Sequence, residues 1–245
     1  MTFDGSMEEF LSAVFKVYVE KMPALLYREK DYVPNLVDTT HKVIYQESAF
    51  DRVRIAMQKK FSSEALHIIT HCLMNNDISA PYMTMRYVIL CFNNPKSAHD
   101  YQNETIIKVT KMARQVSLES HRFLGFVRFH QVGSVYISVI KPDHEILSFI
   151  APHFSDRYST MDFIIYDEGR QQAIICEKGH WVIRHHMVLD EAMFKKDDFE
   201  DAWKTYFEGT TITSRKNLKA QKKSMPKRYW KNLLEIPDHL VPNDK

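Results

Sequence analysis

Phe123-Leu124-Gly125-Phe126-Val127-Arg128-Phe129 and Ser134-Val135-Tyr136-Ile137-Ser138-Val139-Ile140 decide the fold class. Both runs are aromatic and β-branched, and a short segment containing Gly133 separates them, which predicts a β-hairpin. Downstream, Pro142-Asp143 is expected to start a helix from about His144 to Arg157, with Asp143 as its N-cap. Three more strands are expected at 161–167, 171–177 and 180–187, punctuated by Glu168-Gly169 and Lys178-Gly179. Residues 196–208 read as helical again, and a basic, partly helical tail follows.

Upstream the period changes. Ser6 with Glu9 is a capping-box signature, and Phe10, Leu11, Val14, Phe15 and Tyr18 then share one helical face. Residues 23–41 carry Pro23 and Pro34 and read as a connecting loop. Helical patterns occupy 43–60, 62–74 and 79–92. Ser97 and Asp100 open a last long helix to about residue 120, with Ile107, Val109, Met112, Ala113 and Val116 on its apolar side. Helices followed by strands on short turns predict an α+β fold. Its expected parts are a helical N-terminal half, an antiparallel sheet in the middle and a helical basic C-terminal segment. The expected regions are 1–120, mainly helical, and 121–245, α+β with the basic tail, joined in one compact unit.

Composition sets the outer limits. The chain has 245 residues, 44% of them hydrophobic and 26% charged, which excludes wholesale disorder. Only 6 glycines occur, about a third of the average share. No G-x-x-x-x-G-K-[ST] phosphate loop and no G-x-G-x-x-G dinucleotide turn is present, which excludes several enzyme classes. No cofactor is expected. The opening MTFDGSMEEF lacks the basic and apolar regions of a secretory signal. No apolar run approaches the ~20 residues that span a bilayer, so no membrane partner is expected. Cys72, Cys91 and Cys176 are widely spaced and odd in number, which predicts reduced, buried thiols in a cytoplasmic protein.

The net charge of +2 conceals a strong asymmetry. Residues 209–231 hold Arg215, Lys216, Lys219, Lys222, Lys223, Lys227, Arg228 and Lys231 and no acidic residue. Lys216, Lys219 and Lys223 recur at helical spacing, which suits phosphate contacts, and Tyr229 and Trp230 beside them could stack on bases. The competing expectation is a solvated helix whose Tyr and Trp pack inward.

Candidate chemistry gathers in a polar cluster, Lys141-Pro142-Asp143-His144 with His153, Asp156, Arg157 and Tyr158. On a helix His153 shares a side with Asp156 and Arg157. That grouping offers a general base, a carboxylate to orient it and an anion-binding guanidinium. The catalytic candidates are therefore His144, His153 and Asp156. The bland alternatives are an N-cap role for Asp143 and simple ion pairing for Arg157. His67 and His71 lie at i, i+4 and could meet one ion, but no carboxylate motif accompanies them, so no metal site is expected. His185 and His186 on a strand would point to opposite faces. No G-x-S-x-G, Cys/His constellation or H-E-x-x-H occurs.

Taken together, several stretches resemble a bacterial family of uncharacterised proteins associated with DNA metabolism or DNA repair. They are Phe3-Asp4-Gly5-Ser6, the run His121–Phe129, Pro142-Asp143-His144 and Ile150–Tyr158. Trp203, Tyr206-Phe207, Arg215-Lys216-Asn217 and Met225–Trp230 extend the likeness through the tail. The resemblance implies a role beside a radical-SAM protein and a related domain fused to uracil-DNA-glycosylase-like proteins; it transfers no catalytic role. Tyr158 stands where Phe is usual in that family, and Tyr166-Asp167 replaces a more usual His-Asp. With no three-cysteine cluster motif here, any iron–sulfur chemistry would belong to the partner.

The resulting expectation is a DNA-associated accessory protein. Its contacts would come from Arg128, Arg157, Arg215, Lys216, Lys219, Lys223, Lys227, Arg228, Tyr229 and Trp230. The alternatives are an enzyme acting on nucleotides or damaged DNA, hydrolase or glycosylase-like, through the His144–Tyr158 cluster, and a protein–protein scaffold without catalysis.

Overall fold

Ser6 begins the first helix as its sequence dictates: its side chain accepts the Glu9 N–H at 3.2 Å. The Glu9 carboxylate reaches back to the Asp4 N–H at 2.7 Å, two residues beyond the usual capping-box partner. Helix α1 (Met7–Val19) therefore starts on a side-chain cap and buries Phe10, Leu11, Ala13 and Val14. A computed structural model describes residues 1–34, 39–95, 98, 100–189, 209–210, 217–233 and 236. The chain divides into two compact units, Met1–Leu118 and Glu119–Lys245.

The first unit is helical. A short parallel pair, β1 (Thr2–Phe3) and β2 (Tyr27–Arg28), is followed by α2 (Glu47–Lys60), α3 (Ser63–Leu73) and α4 (Ala80–Asn93). Ser62 caps α3 by accepting the Ala65 N–H at 3.1 Å. The end of α3 is closed by the buried guanidinium of Arg28, which donates to the carbonyls of Leu73 and Asn75 at 2.6 Å each. Phe3, Phe10, Leu26, Ile69, Leu73 and Met85 are among its fully buried side chains.

Helix α5 (Glu104–Phe126) starts later and runs further than its sequence suggests. Asn103, whose side chain accepts the Thr105 N–H at 2.9 Å, takes the position expected of Asp100. Ser97 lies outside the described residues. The expected strand at 123–129 is a correction: residues 123–126 form the last turn of α5. Phe123 and Phe126 sit at i, i+3 and both pack on Tyr229, with ring centroids 5.0 and 5.8 Å away. Tertiary burial on a helical period thus overrides the β propensity of the run.

The hairpin that does form joins β3 (His130–Val132) to β4 (Val135–Ile140). Gly133 turns between them at φ 61. Strands β5 (Phe163–Asp167), β6 (Gln172–Glu177) and β7 (His180–Arg184) complete a five-stranded sheet in the order β3-β4-β5-β6-β7. Lys178 and Gly179, at φ 46 and 82, make the tight β6–β7 turn. The α+β class and the helical N-terminal half stand. The sheet is mostly antiparallel, but β4 and β5 run parallel. Helix α6 (Leu147–Arg157) supplies the crossover that a parallel pair requires, and it packs on β6 and β7.

Its far end is fastened by rings. Phe129 meets Phe154, Tyr158 and Phe163 at 6.0, 5.6 and 5.6 Å. After β7 the chain returns across the sheet, where the Tyr166 hydroxyl donates to the Met187 carbonyl at 2.9 Å. The described part of the tail comprises α7 (Leu218–Ser224) and a 3-10 segment (Lys227–Asn232). The helix expected at 196–208 lies outside the described residues. Among the described residues no helix is long and apolar enough to cross a membrane.

Candidate functional site

The central feature of the second unit is Glu119, a carboxylate only 2% exposed. It lies three residues after Val116 and seven after Met112, in line with the apolar stripe of α5. Its two oxygens accept the Asp143 N–H and the His144 N–H, each at 2.8 Å. The Tyr229 hydroxyl also donates to it. One buried anion therefore ties together the end of α5, the 142–144 loop and the 3-10 segment of the tail.

Arg170 grips the same loop from its carbonyl side. It donates to Pro142 O at 3.1 Å and Asp143 O at 2.6 Å. It also pairs with Asp167 at 2.9 Å, where the side chains are 12% and 1% exposed. Asp167 ends β5 and accepts the Gly169 and Arg170 N–H groups at 3.0 and 3.3 Å. Burial raises its pKa, and Arg170 opposes that shift. Neither Glu119 nor Arg170 was among the residues expected to matter. The signal for Glu119 was a lone carboxylate on the buried face of a helix; for Arg170, a turn between two apolar strands gave none.

The third clamp is Arg228. Its Nε binds the Asp143 carboxylate at 2.7 Å, with side chains 53% and 46% exposed. Its Nη2 donates to the Tyr229 hydroxyl at 2.9 Å, and the guanidinium lies over that ring at 4.7 Å. Tyr229 is raised well above the ordinary phenol pKa, first by burial and then by Glu119. It stays a hydrogen-bond donor at neutral pH.

Asp143 is thus no N-cap, which corrects the expected role. Its backbone and carboxylate are committed to Glu119, Arg170 and Arg228, and α6 begins only at Leu147, behind Ile146. His144 consequently lies in the loop and is half-buried. Burial lowers its pKa; Glu119 and Asp143 pull it up, and Arg170 and Arg228 push it down. A neutral imidazole at physiological pH follows, which suits a general base or a hydrogen-bond partner.

The rest of the expected cluster does not join His144. His153, Asp156 and Arg157 are exposed on α6, and neither His153 nor Asp156 makes a hydrogen bond or ion pair among the described residues. His153 stands edge-on to Phe154 at 5.2 Å, and Arg157 lies over the Tyr158 ring at 5.8 Å. Tyr158 belongs to the aromatic group at the sheet. Arg128 caps α5 by donating to the Gly125 and Val127 carbonyls at 2.7 and 3.1 Å.

In the tail, Lys219, Lys222, Lys223 and Lys227 are exposed. Lys219 and Lys223 lie at i, i+4 on α7, whose Asn217 cap accepts the Ala220 N–H at 3.0 Å. Arg215 and Lys216 lie outside the described residues, as do Trp203, Tyr206 and Phe207. Tyr229 and Trp230 are 5% and 1% exposed, so the expectation of base-stacking rings beside the lysines is corrected. Trp230 packs with Leu233, Ile236, Phe126 and Met225, and its indole donates to Met225 O at 2.9 Å. These rings hold the tail down instead.

Elsewhere, His71 turns its Nδ1 to the His67 carbonyl at 2.9 Å and stacks with His67 at 3.8 Å, the geometry of a satisfied core histidine. His185 and His186 fall beyond β7 and are exposed. Cys72, Cys91 and Cys176 are free and buried, and burial raises each thiol pKa. Among the described residues no group of three or more His, Cys, Asp or Glu side chains is arranged to hold a metal ion.

Fold and site define an α+β protein whose basic C-terminal segment is fastened to a mixed sheet through one buried carboxylate. The chain belongs to the DUF4130 family, a domain of unknown function, whose family model matches residues 79–235. No curated protein and no solved structure matches it.

Proposed function

We propose that the protein is a nucleic-acid-associated accessory protein of DNA metabolism or repair that holds DNA phosphates along its 209–231 segment. The observation that carries this reading is the exposed stripe Lys219, Lys222 and Lys223 on α7, continued by Lys227, in a stretch without a single acidic residue. Ammonium groups unanswered by local carboxylates release counterions from a polyanion on binding, and that term supplies most non-specific affinity. The clamp of Tyr229 and Arg228 on Glu119 and Asp143 gives the segment a fixed seat, so phosphate contacts there need little reordering. With both tail rings buried, the contacts serve backbone phosphates rather than bases.

The resemblance described above supports a radical-SAM protein as a working partner, the present chain supplying DNA contact and the partner the cofactor chemistry. Retention of such a partner by the purified protein after nuclease treatment tests this directly. Loss of the partner with the DNA would mean that nucleic acid alone bridges them.

One observation favours a second reading, an enzyme acting on nucleotides or damaged DNA. His144 is held by its backbone beside two carboxylates and two guanidiniums, with its imidazole kept neutral. Turnover of a nucleotide or lesion-bearing oligonucleotide that His144→Gln abolishes without loss of fold would establish it. Undiminished turnover in that variant would remove His144 from the chemistry.

A further inference from the structure

The first unit carries a cavity of about 280 Å³ beside α1 and α2. Val14, Phe15, Tyr18, Val53, Ala56 and Phe92 form its apolar surface. Val14 and Val53 are buried at its base, while Val19 at its rim is 54% exposed. Two cations border it. Arg52 lies over the Phe15 ring at 5.4 Å, and Lys60 lies over the Phe92 ring at 5.7 Å. Neither forms an ion pair among the described residues, and the neighbouring acid Asp51 is taken by Arg54 at 2.8 Å. Phe92 is itself braced by Phe61 and Tyr18, at 4.6 and 5.4 Å, so the wall is preformed.

The spacing of the cations selects the occupant. Positions 52 and 60 of one helix are about 12 Å apart along its axis. A single carboxylate or phosphate head cannot reach both, which disfavours a small monoanion. A nucleic-acid backbone brings no apolar group to fill the cavity between them. An amphipathic helix does both: an aliphatic or aromatic anchor enters the cavity while two acidic residues, two turns apart on the same face, meet Arg52 and Lys60.

We propose that this cavity docks an acidic amphipathic helix of a partner protein, through an apolar anchor flanked by carboxylates that pair with Arg52 and Lys60. The cavity belongs to the first unit, and its α1 and α2 walls lie in residues 1–78, outside the family match, so this inference does not rest on the DNA reading. Cation–π seating holds each charge over its ring in advance, which lowers the ordering cost of pairing.

The probe is a fluorescein-labelled synthetic helix with Leu and Phe at its centre and Glu two turns apart on either side. Fluorescence anisotropy should show saturable binding, and the double reversal Arg52→Glu with Lys60→Glu should weaken it by roughly tenfold or more. The same peptide with Lys in place of both Glu should regain binding to the reversed protein. Both positions are exposed, and an unchanged thermal melt confirms that the variant folds. Absence of saturable binding, indifference to the reversal, or failure of the swapped pair to regain binding overturns the proposal. So does displacement of the peptide by phenylbutyrate or by a DNA duplex at comparable concentration. Self-association abolished by the same reversal would assign the cavity to a second copy of the chain and overturn it equally.

Discussion

Tyr229 donates its phenolic hydrogen to the buried carboxylate of Glu119 across 110 positions of sequence. Glu119 is simultaneously the acceptor for the Asp143 and His144 N–H groups, so the tail and the catalytic-candidate loop share one anion. Tyr229→Phe keeps the ring contacts with Phe123 and Phe126 but removes the donor. Urea denaturation should show a loss of about 1.5–3 kcal/mol, the range for hydrogen bonds to charged groups. A loss within error would mean that the carboxylate finds a substitute donor and that the tail is not seated by it.

Arg170 and Asp167 form a nearly dry pair, unlike the exposed Arg228–Asp143 contact. Arg170→Met leaves the Asp167 carboxylate buried against two backbone N–H groups and frees the Pro142 and Asp143 carbonyls. The expected cost is about 3–5 kcal/mol, whereas breaking the exposed Arg228 pair by Arg228→Ala should cost about 1 kcal/mol or less for the ion pair itself. Equal costs in chemical denaturation would contradict the ranking of the two clamps.

Stability should fall on mild acidification. Burial holds the pKa of His71 and of His144 below the ordinary imidazole value of 6.5, while the unfolded chain protonates near that value. The unfolded state then binds more protons, so stability is present above pH 6.5 and is lost as pH falls through the folded values. Thermal melts between neutral pH and pH values below 6.5 should show this slope, and His71→Gln with His144→Gln should flatten it. A slope unchanged by both substitutions would assign it to other groups.

How much of this was legible in sequence follows from the range of the interactions. Ser6 with Glu9, and the strands at 163–167, 172–177 and 180–184, rest on local chemistry and were readable. The last turn of α5 was not, because Phe123 and Phe126 become helical through Tyr229, a partner far along the chain. The parallel β4–β5 pair follows from α6 crossing the sheet, a tertiary fact that short turns do not announce. At the site, Asp143 and His144 were marked by type alone, and their real partners are Glu119, Arg170 and Arg228. Residue types in Tyr229-Trp230 could not tell stacking from anchoring; burial decides for anchoring.

The central claim is that phosphates meet the lysines of α7, and the salt dependence of DNA affinity tests it most directly. Affinity for a labelled duplex should fall linearly in log–log form as salt rises. Replacing Lys219, Lys222 and Lys223 together by Gln should reduce that slope by about 2–3, close to 0.9 for each phosphate contact removed. Binding that is absent at low salt, or a slope that the triple substitution leaves unchanged, would contradict the account.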